Sequence, residues 1–175
     1  MSSLAFSTPV IVKSMKENNR KKVILVSSDG GHLAQLLELN DWFANYNYLL
    51  VTERANSTLP LRERYHVSFL SKRPRGRKRN FLFFMKVFFN FLLSIRLIFR
   101  HYPKVIITTG SHAAVPMCLI GKFLGIKIVY ILSYARINSR ELSADIVYRI
   151  ADRFIIQWPG VQKFYKNSIF LGGIY

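Results

Sequence analysis

The sequence predicts an α/β fold, with a doubly wound parallel sheet in a single domain over residues 21–175. Three observations support this prediction. The chain has 175 residues, which is long enough for one α/β domain with a substantial core. Half of the residues are hydrophobic, which excludes long-range disorder. Apolar runs of strand length alternate with helical patterns, as they do where crossover helices join parallel strands.

Apolar, β-branched runs bounded by turn residues predict the strands. They lie at residues 22–27, 48–52, 66–70, 104–109, 127–132 and 153–157, followed by a short seventh run at 169–171. Helical periodicity between these runs predicts helices over residues 32–44, 80–100, 113–124 and 139–150. Pro103 ends the long second helix, and Gly125 stands at the expected C-cap of the third.

The chain is strongly basic, with 26 Lys and Arg residues, nine Asp and Glu residues and a net charge of +17. This excess predicts an anionic partner, namely nucleic acid, an acidic protein or an anionic membrane surface. Cys118 is the sole cysteine, so no internal disulfide forms, and its apolar neighbours predict a core residue. Residues 1–20 are predicted to be a flexible basic lead-in, because their apolar stretch is too short for a signal peptide.

Residues 71–100 join a basic run to an aromatic helix. The basic run holds six cations and no acid, and the helical pattern after it has 15 apolar residues, seven of them phenylalanine. One interpretation is a crossover helix packed on the sheet. Another is a segment that contacts anionic head groups and inserts phenylalanines into a bilayer, with the candidate residues Lys72, Arg73, Arg75, Arg77, Lys78, Arg79, Phe84 and Phe88. A membrane span is disfavoured, because its longest charge-free part, residues 87–95, is shorter than the roughly 18 residues required.

Two glycine-rich bends follow the first and fourth predicted strands, and each leads into a helix. The first bend is formed by Ser28, Asp29, Gly30, Gly31 and His32, and the second by Gly110, Ser111 and His112. Backbone N–H groups at such a junction attract anions, above all phosphate. The carboxyl ends of parallel strands share one edge of the sheet, so both bends are expected to face one crevice.

The side chains of the bends suggest different roles. His32 follows two glycines at a helix start, where its ring can contact a phosphate or act as a base. Asp29 is either an N-cap or a catalytic group, and His112 faces either solvent or ligand. Glu53, at a strand end, is a weaker candidate. The dinucleotide-binding fingerprint and the P-loop are both absent, and no metal site is predicted.

Four stretches, in order, carry a family resemblance. They are residues 23–39 with the core Ser-Asp-Gly-Gly-His-Leu, the second bend in residues 108–116, residues 131–139, and residues 151–159. Together they resemble the Alg14-like glycosyltransferase subunits, a family that includes capsule and exopolysaccharide proteins of the PssD and CpsF type. Residues 131–139 look like the family's E-S-x-A-R-v motif, with Leu132 standing where that motif usually has glutamate. If that carboxylate matters for the acceptor, this chain is weaker there or another acid serves.

The resemblance implies a Rossmann-like domain equivalent to the N-terminal, acceptor-binding half of a GT-B glycosyltransferase such as MurG. An Alg13-like partner would bind the nucleotide sugar, so this chain by itself is expected to bind no cofactor. The acceptor would be a polyprenyl-diphosphate-linked saccharide at the cytoplasmic face of the membrane, where the chain would be peripheral. His32 and Asp29 would serve catalysis, and the diphosphate would be held by Ser28, Gly30, Gly31, Gly110, Ser111, His112 and Arg136.

Two other functions compete with this one. The chain could be a non-catalytic membrane scaffold, with all the chemistry in its partner. It could also be a basic nucleic-acid-binding protein whose cations contact phosphates without reading sequence. The phenylalanines disfavour nucleic acid, because they follow a helical pattern and do not form an exposed stacking platform.

Overall fold

The computed structural model describes residues 20–72 and 81–174, with side chains from residue 84 onward in the second stretch. Nearly all of the predicted lead-in therefore lies outside the described residues. The same holds for five of the predicted membrane-contacting cations, namely Arg73, Arg75, Arg77, Lys78 and Arg79.

A parallel sheet of seven strands forms the centre of the domain, in the order β3-β2-β1-β4-β5-β6-β7. The strands are β1 Lys22–Val26, β2 Asn47–Glu53, β3 Val67–Leu70, β4 Val105–Thr108, β5 Lys127–Ile131, β6 Arg153–Ile156 and β7 Ile169–Phe170. This arrangement confirms the predicted doubly wound, Rossmann-like fold. The strand order reverses between β1 and β4, which is where such sheets open a crevice beyond their carboxyl ends.

In the described residues, five α-helices cover the two faces of the sheet. They are α1 Gly31–Leu37, α2 Asn40–Phe43, α3 Phe81–His101, α4 Val115–Phe123 and α5 Leu142–Tyr148, with short 3₁₀ turns at Leu59–Glu63 and Pro159–Val161. Helices α4 and α5 begin two to three residues later than the sequence predicts. Pro116 sits in the first turn of α4, where its missing N–H costs nothing.

The predicted continuous helix over residues 32–44 is wrong, because the chain breaks after α1 and restarts as α2. Leu39 leaves helical geometry and becomes the N-cap of α2, accepting hydrogen bonds from the N–H groups of Trp42 and Phe43. The break turns Phe43 into the core, where it is fully buried and packs edge-on against Tyr48. Burial of a whole aromatic side chain thus outweighs the loss of helical continuity.

Two hydrophobic cores lie on opposite faces of the sheet. One joins β1 and β2 to α1 and α2 around Leu36, Phe43 and Leu50. The other joins the sheet to α3, α4 and α5 around Ile98, Met117 and Val147. Cys118 belongs to this second core, as predicted, and its burial raises the pKa of its thiol to about 12.

Helix α3 is buried along only part of its length. Its carboxyl-terminal half packs on α4 and the second core through Ser94, Leu97 and Ile98. Earlier in the helix, Phe84, Val87, Phe88 and Phe91 lie at helical spacing on one face and are 40% to 58% exposed. The helix is thus both a crossover element and the bearer of an exposed aromatic face. In the part of the chain that is described, no helix is both long and apolar enough to span a bilayer.

Candidate functional site

The two bends are in direct contact, because β1 and β4 are neighbours in the sheet. His32 Nδ1 lies 2.9 Å from the carbonyl oxygen of Thr109, and Thr109 Oγ1 donates a hydrogen bond of 2.6 Å to the carbonyl oxygen of His32. These reciprocal bonds hold the first bend against the second. The structure therefore places the two bends at one crevice at the carboxyl edge of the sheet.

The bond to Thr109 also decides which nitrogen of His32 carries the proton. A carbonyl oxygen only accepts hydrogen bonds, so Nδ1 must be the donor. Nε2 of the neutral ring is then an acceptor, and it lies 4.0 Å from Glu141 Oε1. Two acceptors thus face each other with room between them for a proton or for a donor group of a ligand.

Glu141 is a buried carboxylate at the N-cap of α5, and the sequence analysis missed it. Its side chain is only 9% exposed. Oε1 accepts a hydrogen bond of 2.5 Å from Ser143 Oγ, and Oε2 lies 3.6 Å from Arg136 Nε. A glutamate in the first turn of the predicted helix over residues 139–150 carries no signal that distinguishes it from an ordinary surface residue, so only the folded chain shows its proximity to His32.

The buried side chain of Tyr130 contacts the hydroxyl of Ser143. Tyr130 OH lies 3.3 Å from Ser143 Oγ, and its ring stacks on Phe154 with the centroids 4.9 Å apart. Burial, together with the nearby charge of Glu141, raises the pKa of Tyr130, so its hydroxyl stays protonated. The result is a chain of donors from Tyr130 through Ser143 to Glu141.

Gly110 is required because nothing larger fits the second bend. Its φ is +107°, and a Cβ added there would lie 2.7 Å from Tyr130 OH and 3.3 Å from both Glu141 Oε1 and His32 Cε1. Its N–H group already donates to Thr108 Oγ1 at 3.0 Å. The expectation that Gly110 presents a free backbone donor is therefore wrong, and its role here is to leave space.

Ser111 combines backbone strain with an unsatisfied hydroxyl. Its φ of +92° lies in a region that residues other than glycine rarely adopt. Its Oγ is buried and has no hydrogen-bond partner among the described residues. Strain and an unpaired buried polar group at one residue are typical of a binding site.

These side chains line one cavity of about 550 Å³ between α3, α4 and α5. Its polar lining consists of Ser28, His32, Ser111, His112, Arg136, Glu141 and Ser143. Its apolar lining consists of Val87, Val115, Pro116, Leu142 and Ile146. The cavity thus joins a polar region, at the two bends, to an apolar one that includes part of the exposed face of α3.

Other predicted site residues lie beside the cavity. Asp29, Gly30 and Gly31 are not among the described residues that line it. The carboxylate of Asp29 forms an ion pair with the ammonium group of Lys72, one of the predicted membrane-contacting cations. Gly30, with φ +84°, is the N-cap of α1. Asp29 thus links the first bend to the start of the basic run.

His112 is paired with the weaker candidate Glu53. Its Nε2 lies 3.5 Å from Glu53 Oε1, and the Glu53 side chain is almost completely buried. His112 itself is half exposed and lines the cavity. Each bend therefore carries a histidine that faces a buried carboxylate.

A buried amide network positions the stretch that looks like the E-S-x-A-R-v motif. Gln35 Oε1 accepts from the N–H of Tyr134 at 3.0 Å and from Gln157 Nε2 at 3.3 Å, while Gln35 Nε2 donates to Ser133 Oγ. Gln157 also donates to the carbonyl oxygen of Leu132 and accepts from the N–H of Ile174. Helix α1, the ends of β5 and β6, and the carboxyl-terminal segment are thereby tied together.

Leu132 belongs to the second hydrophobic core and is 1% exposed. It is not among the described residues that line the cavity. The described residues also contain no group of three or more His, Cys, Asp or Glu side chains that could hold a metal ion.

Comparison with solved structures shows which known proteins share this fold. MurG of Acinetobacter baumannii superposes with a TM-score of 0.64 at 15% identity, over 80% of this chain and 42% of that one. The UDP-N-acetylglucosamine 2-epimerase of Rickettsia bellii superposes with a TM-score of 0.67 at 12% identity, over 89% of this chain and 46% of that one. At these identities the likeness shows the fold alone, and this chain spans less than half of either enzyme.

Comparison of sequences identifies the family. The UDP-N-acetylglucosamine transferase subunit alg14 of Schizosaccharomyces pombe is 32% identical, over 93% of this chain and 87% of the relative. The human subunit of the same name is 27% identical, over 94% of this chain and 89% of the relative. A family profile described as "Oligosaccharide biosynthesis protein Alg14 like" matches residues 11–174. The chain therefore belongs to the Alg14-like family of oligosaccharide biosynthesis proteins.

Proposed function

We propose that this chain is the acceptor-binding, membrane-associated subunit of a two-component glycosyltransferase. The complex transfers N-acetylglucosamine from its UDP derivative to a saccharide on a polyprenyl diphosphate. The relatives are UDP-N-acetylglucosamine transferase subunits, which supports both this donor and the role of this chain as one subunit of a complex. The capsule or exopolysaccharide setting stays a prediction from the family resemblance.

The observation that carries this proposal is the two-sided cavity. Its polar lining has hydrogen-bonding groups suited to a diphosphate and a sugar, and its apolar lining suits the first carbons of a lipid chain. Val87 belongs both to the cavity lining and to the exposed face of α3. A lipid held by that face would thus reach the cavity without crossing water.

The proposal assigns the residues at the cavity to different roles. Arg136, His112 and the hydroxyls of Ser28 and Ser111 bind the diphosphate, while Gly30 and Gly31 form the turn of the first bend beside the cavity. His32 stabilises developing charge or assists loss of the proton from the acceptor hydroxyl. Asp29 acts indirectly, by holding Lys72 beside the first bend.

The donor half is proposed to lie in a separate, Alg13-like chain. The relatives are transferase subunits, which implies a second chain in the complex. The exposed aromatic face of α3 and the net charge of +17 support peripheral binding to an anionic bilayer, on its cytoplasmic face, where nucleotide sugars occur.

Reconstitution tests the proposal. The tagged chain is purified with its bound partner from its native cells, and the pair is added to anionic vesicles that contain a short polyprenyl diphosphate bearing one sugar. Labelled UDP-N-acetylglucosamine should then give a labelled lipid, and neither chain alone should reach the rate of the pair. Full activity of the partner alone would make this chain a scaffold, and binding to duplex or single-stranded nucleic acid in preference to vesicles would contradict the proposal.

A further inference from the structure

One carboxylate oxygen of Glu141 accepts no hydrogen bond from the described residues. Oε2 is buried and has no hydrogen-bond partner among the described residues, although Arg136 lies within ion-pair distance. Burying such an atom is unfavourable unless a ligand completes its hydrogen bonding. Glu141 lines the cavity, so this covered oxygen lies beside the space that a ligand would fill.

The chemistry of a carboxylate restricts what that ligand group can be. An ionised carboxylate only accepts hydrogen bonds, so it attracts a donor and repels the oxygens of a phosphate. Oε1 is already occupied by Ser143, and His32 Nε2 is a second acceptor 4.0 Å away. A sugar hydroxyl is a neutral donor, and its single proton can satisfy Oε2.

We propose that Glu141 is a catalytic residue that binds the attacking hydroxyl of the acceptor sugar and takes its proton. This inference rests on the proposed function. The hydroxyl O–H bond breaks as its oxygen forms a bond to the anomeric carbon of the donor sugar. The bond from that carbon to the diphosphate breaks, the nucleoside diphosphate leaves with the electron pair, and the proton passes to Oε2.

The surroundings of Glu141 suit this role. Ser143 fixes the carboxylate through Oε1 and leaves Oε2 without a hydrogen bond among the described residues, while Arg136 offsets the negative charge. Leu132, where the family motif usually has glutamate, is buried in the core and does not belong to the described cavity lining. In this chain the carboxylate in the cavity is therefore supplied from the start of α5.

A binding cycle tests the contact separately from turnover. The ligands are a short-chain prenyl diphosphate bearing N-acetylglucosamine and its 3-deoxy, 4-deoxy and 6-deoxy analogues, and their affinities are measured for the wild-type chain and for Glu141→Ala. Loss of the contacted hydroxyl should weaken wild-type binding roughly tenfold, as expected for a hydrogen bond to a charged group. The same loss should have no effect in the variant, and the analogue concerned identifies the attacking hydroxyl.

Each outcome bears on one proposal or both. If the parent ligand binds but no analogue shows a difference between the two chains, the role of Glu141 is wrong and the proposed function stands. If the parent ligand does not bind at all, the proposed function fails, and the inference fails with it.

A second measurement tests whether Glu141 accepts the proton during turnover. In the reconstituted pair, Glu141→Gln should lower kcat by on the order of 100-fold with little change in KM for the lipid, because the amide keeps the shape but takes no proton. Asp145→Asn is the control, since Asp145 lies in the same helix but pairs with Arg140 and Tyr165. Thermal unfolding of both variants reports on folding, and undiminished kcat in a folded Glu141→Gln protein would overturn the assignment.

Discussion

Each of the two histidines in the bends is placed by different means. The ring of His32 is fixed by Thr109, so its free nitrogen has a defined position in the cavity. His112 is half exposed and is restrained by the ion pair with Glu53. A ring fixed by a hydrogen bond suits a chemical role, whereas a half-exposed ring at the cavity wall suits contact with the ligand's phosphates, which is why the two are assigned differently.

Replacing His32 by alanine should lower the transfer rate of the reconstituted pair by on the order of 100-fold. Folding should change little, because the His32 side chain is 24% exposed and makes one hydrogen bond through its ring. The matched control is His66→Ala, which also removes a ring bonded to a carbonyl oxygen, that of Tyr48, but on the exposed surface. A His32→Ala pair with the wild-type rate would remove His32 from the mechanism.

Ser111 should show a trade-off between stability and activity. Ser111→Gly removes strain of about 1–3 kcal/mol at φ +92° and adds about 0.5–1 kcal/mol of chain entropy, so the unfolding free energy should rise by about 1 kcal/mol. Ser111→Ala also removes the unpaired buried hydroxyl but keeps the strain, so its unfolding free energy should stay about 1 kcal/mol below that of Ser111→Gly. Both variants lose the hydroxyl, and lipid binding should fall roughly tenfold in each. Denaturant titration and binding measurements check these values; unchanged binding in both variants would remove the hydroxyl from the site.

Among the secondary-structure elements, α3 has the most unusual surroundings. Asn90 accepts from the N–H of Ser71 at 2.8 Å and donates to its carbonyl oxygen at 2.9 Å, which fastens the chain after β3 to the middle of the helix. The next residue, Lys72, reaches the first bend through Asp29. The helix, the start of the basic run and the cavity are thus joined through side-chain contacts.

The exposed aromatic face of α3 predicts how the chain binds a bilayer. Phe84→Ser combined with Phe88→Ser should lower the affinity for phosphatidylglycerol vesicles, measured by sedimentation, by at least roughly 100-fold, because each phenylalanine buried in the bilayer contributes about 1.5–3 kcal/mol. Phe123→Ser is the control, since Phe123 is 90% exposed at the end of α4, away from the cavity. Equal losses in the double variant and the control would show that this face has no special role.

The sequence predicts the elements better than it predicts their ends. The strands are recognisable because continuous apolar runs such as Val23–Val26 are buried on both faces of a parallel sheet. The break before Asn40 is not recognisable, since it depends on the tertiary packing of Phe43. The same distinction applies at the site: parallel strands predict that the two bends meet, but the pairing of His32 with Glu141 depends on how α5 docks.

In the molecule as a whole, nine acidic residues stand against 26 basic ones. One of the nine, Asp152, forms ion pairs with two lysines. Its carboxylate contacts Lys122, Lys127 and the N–H of Ile128 within 3.1 Å. Partial burial raises the pKa of Asp152, but these hydrogen bonds outweigh that effect and lower it to about 2. The end of α4, the start of β5 and the start of β6 are thereby held together.

The depressed pKa predicts how stability depends on pH. Because the carboxyl binds protons less readily in the folded chain, its contribution is complete above pH 4 and is lost as pH falls toward 2. Asp152→Asn should lower the unfolding free energy at pH 7 by about 1 kcal/mol, a value reduced by the exposure of the lysines. Urea titrations at several pH values check this, and a difference between variant and wild type that persists at pH 2 would contradict it.

The amide pair formed by Gln35 and Gln157 has a consequence for divergence within the family. Gln35 must accept twice and donate once, and Gln157 must donate to Leu132 while accepting from Ile174. Glutamate at either position keeps the shape but loses the donors, and an aliphatic residue strands every partner at once. Homologous chains are therefore expected to retain both amides or to replace both together. Substitutions at these two interior positions should thus be correlated within the family.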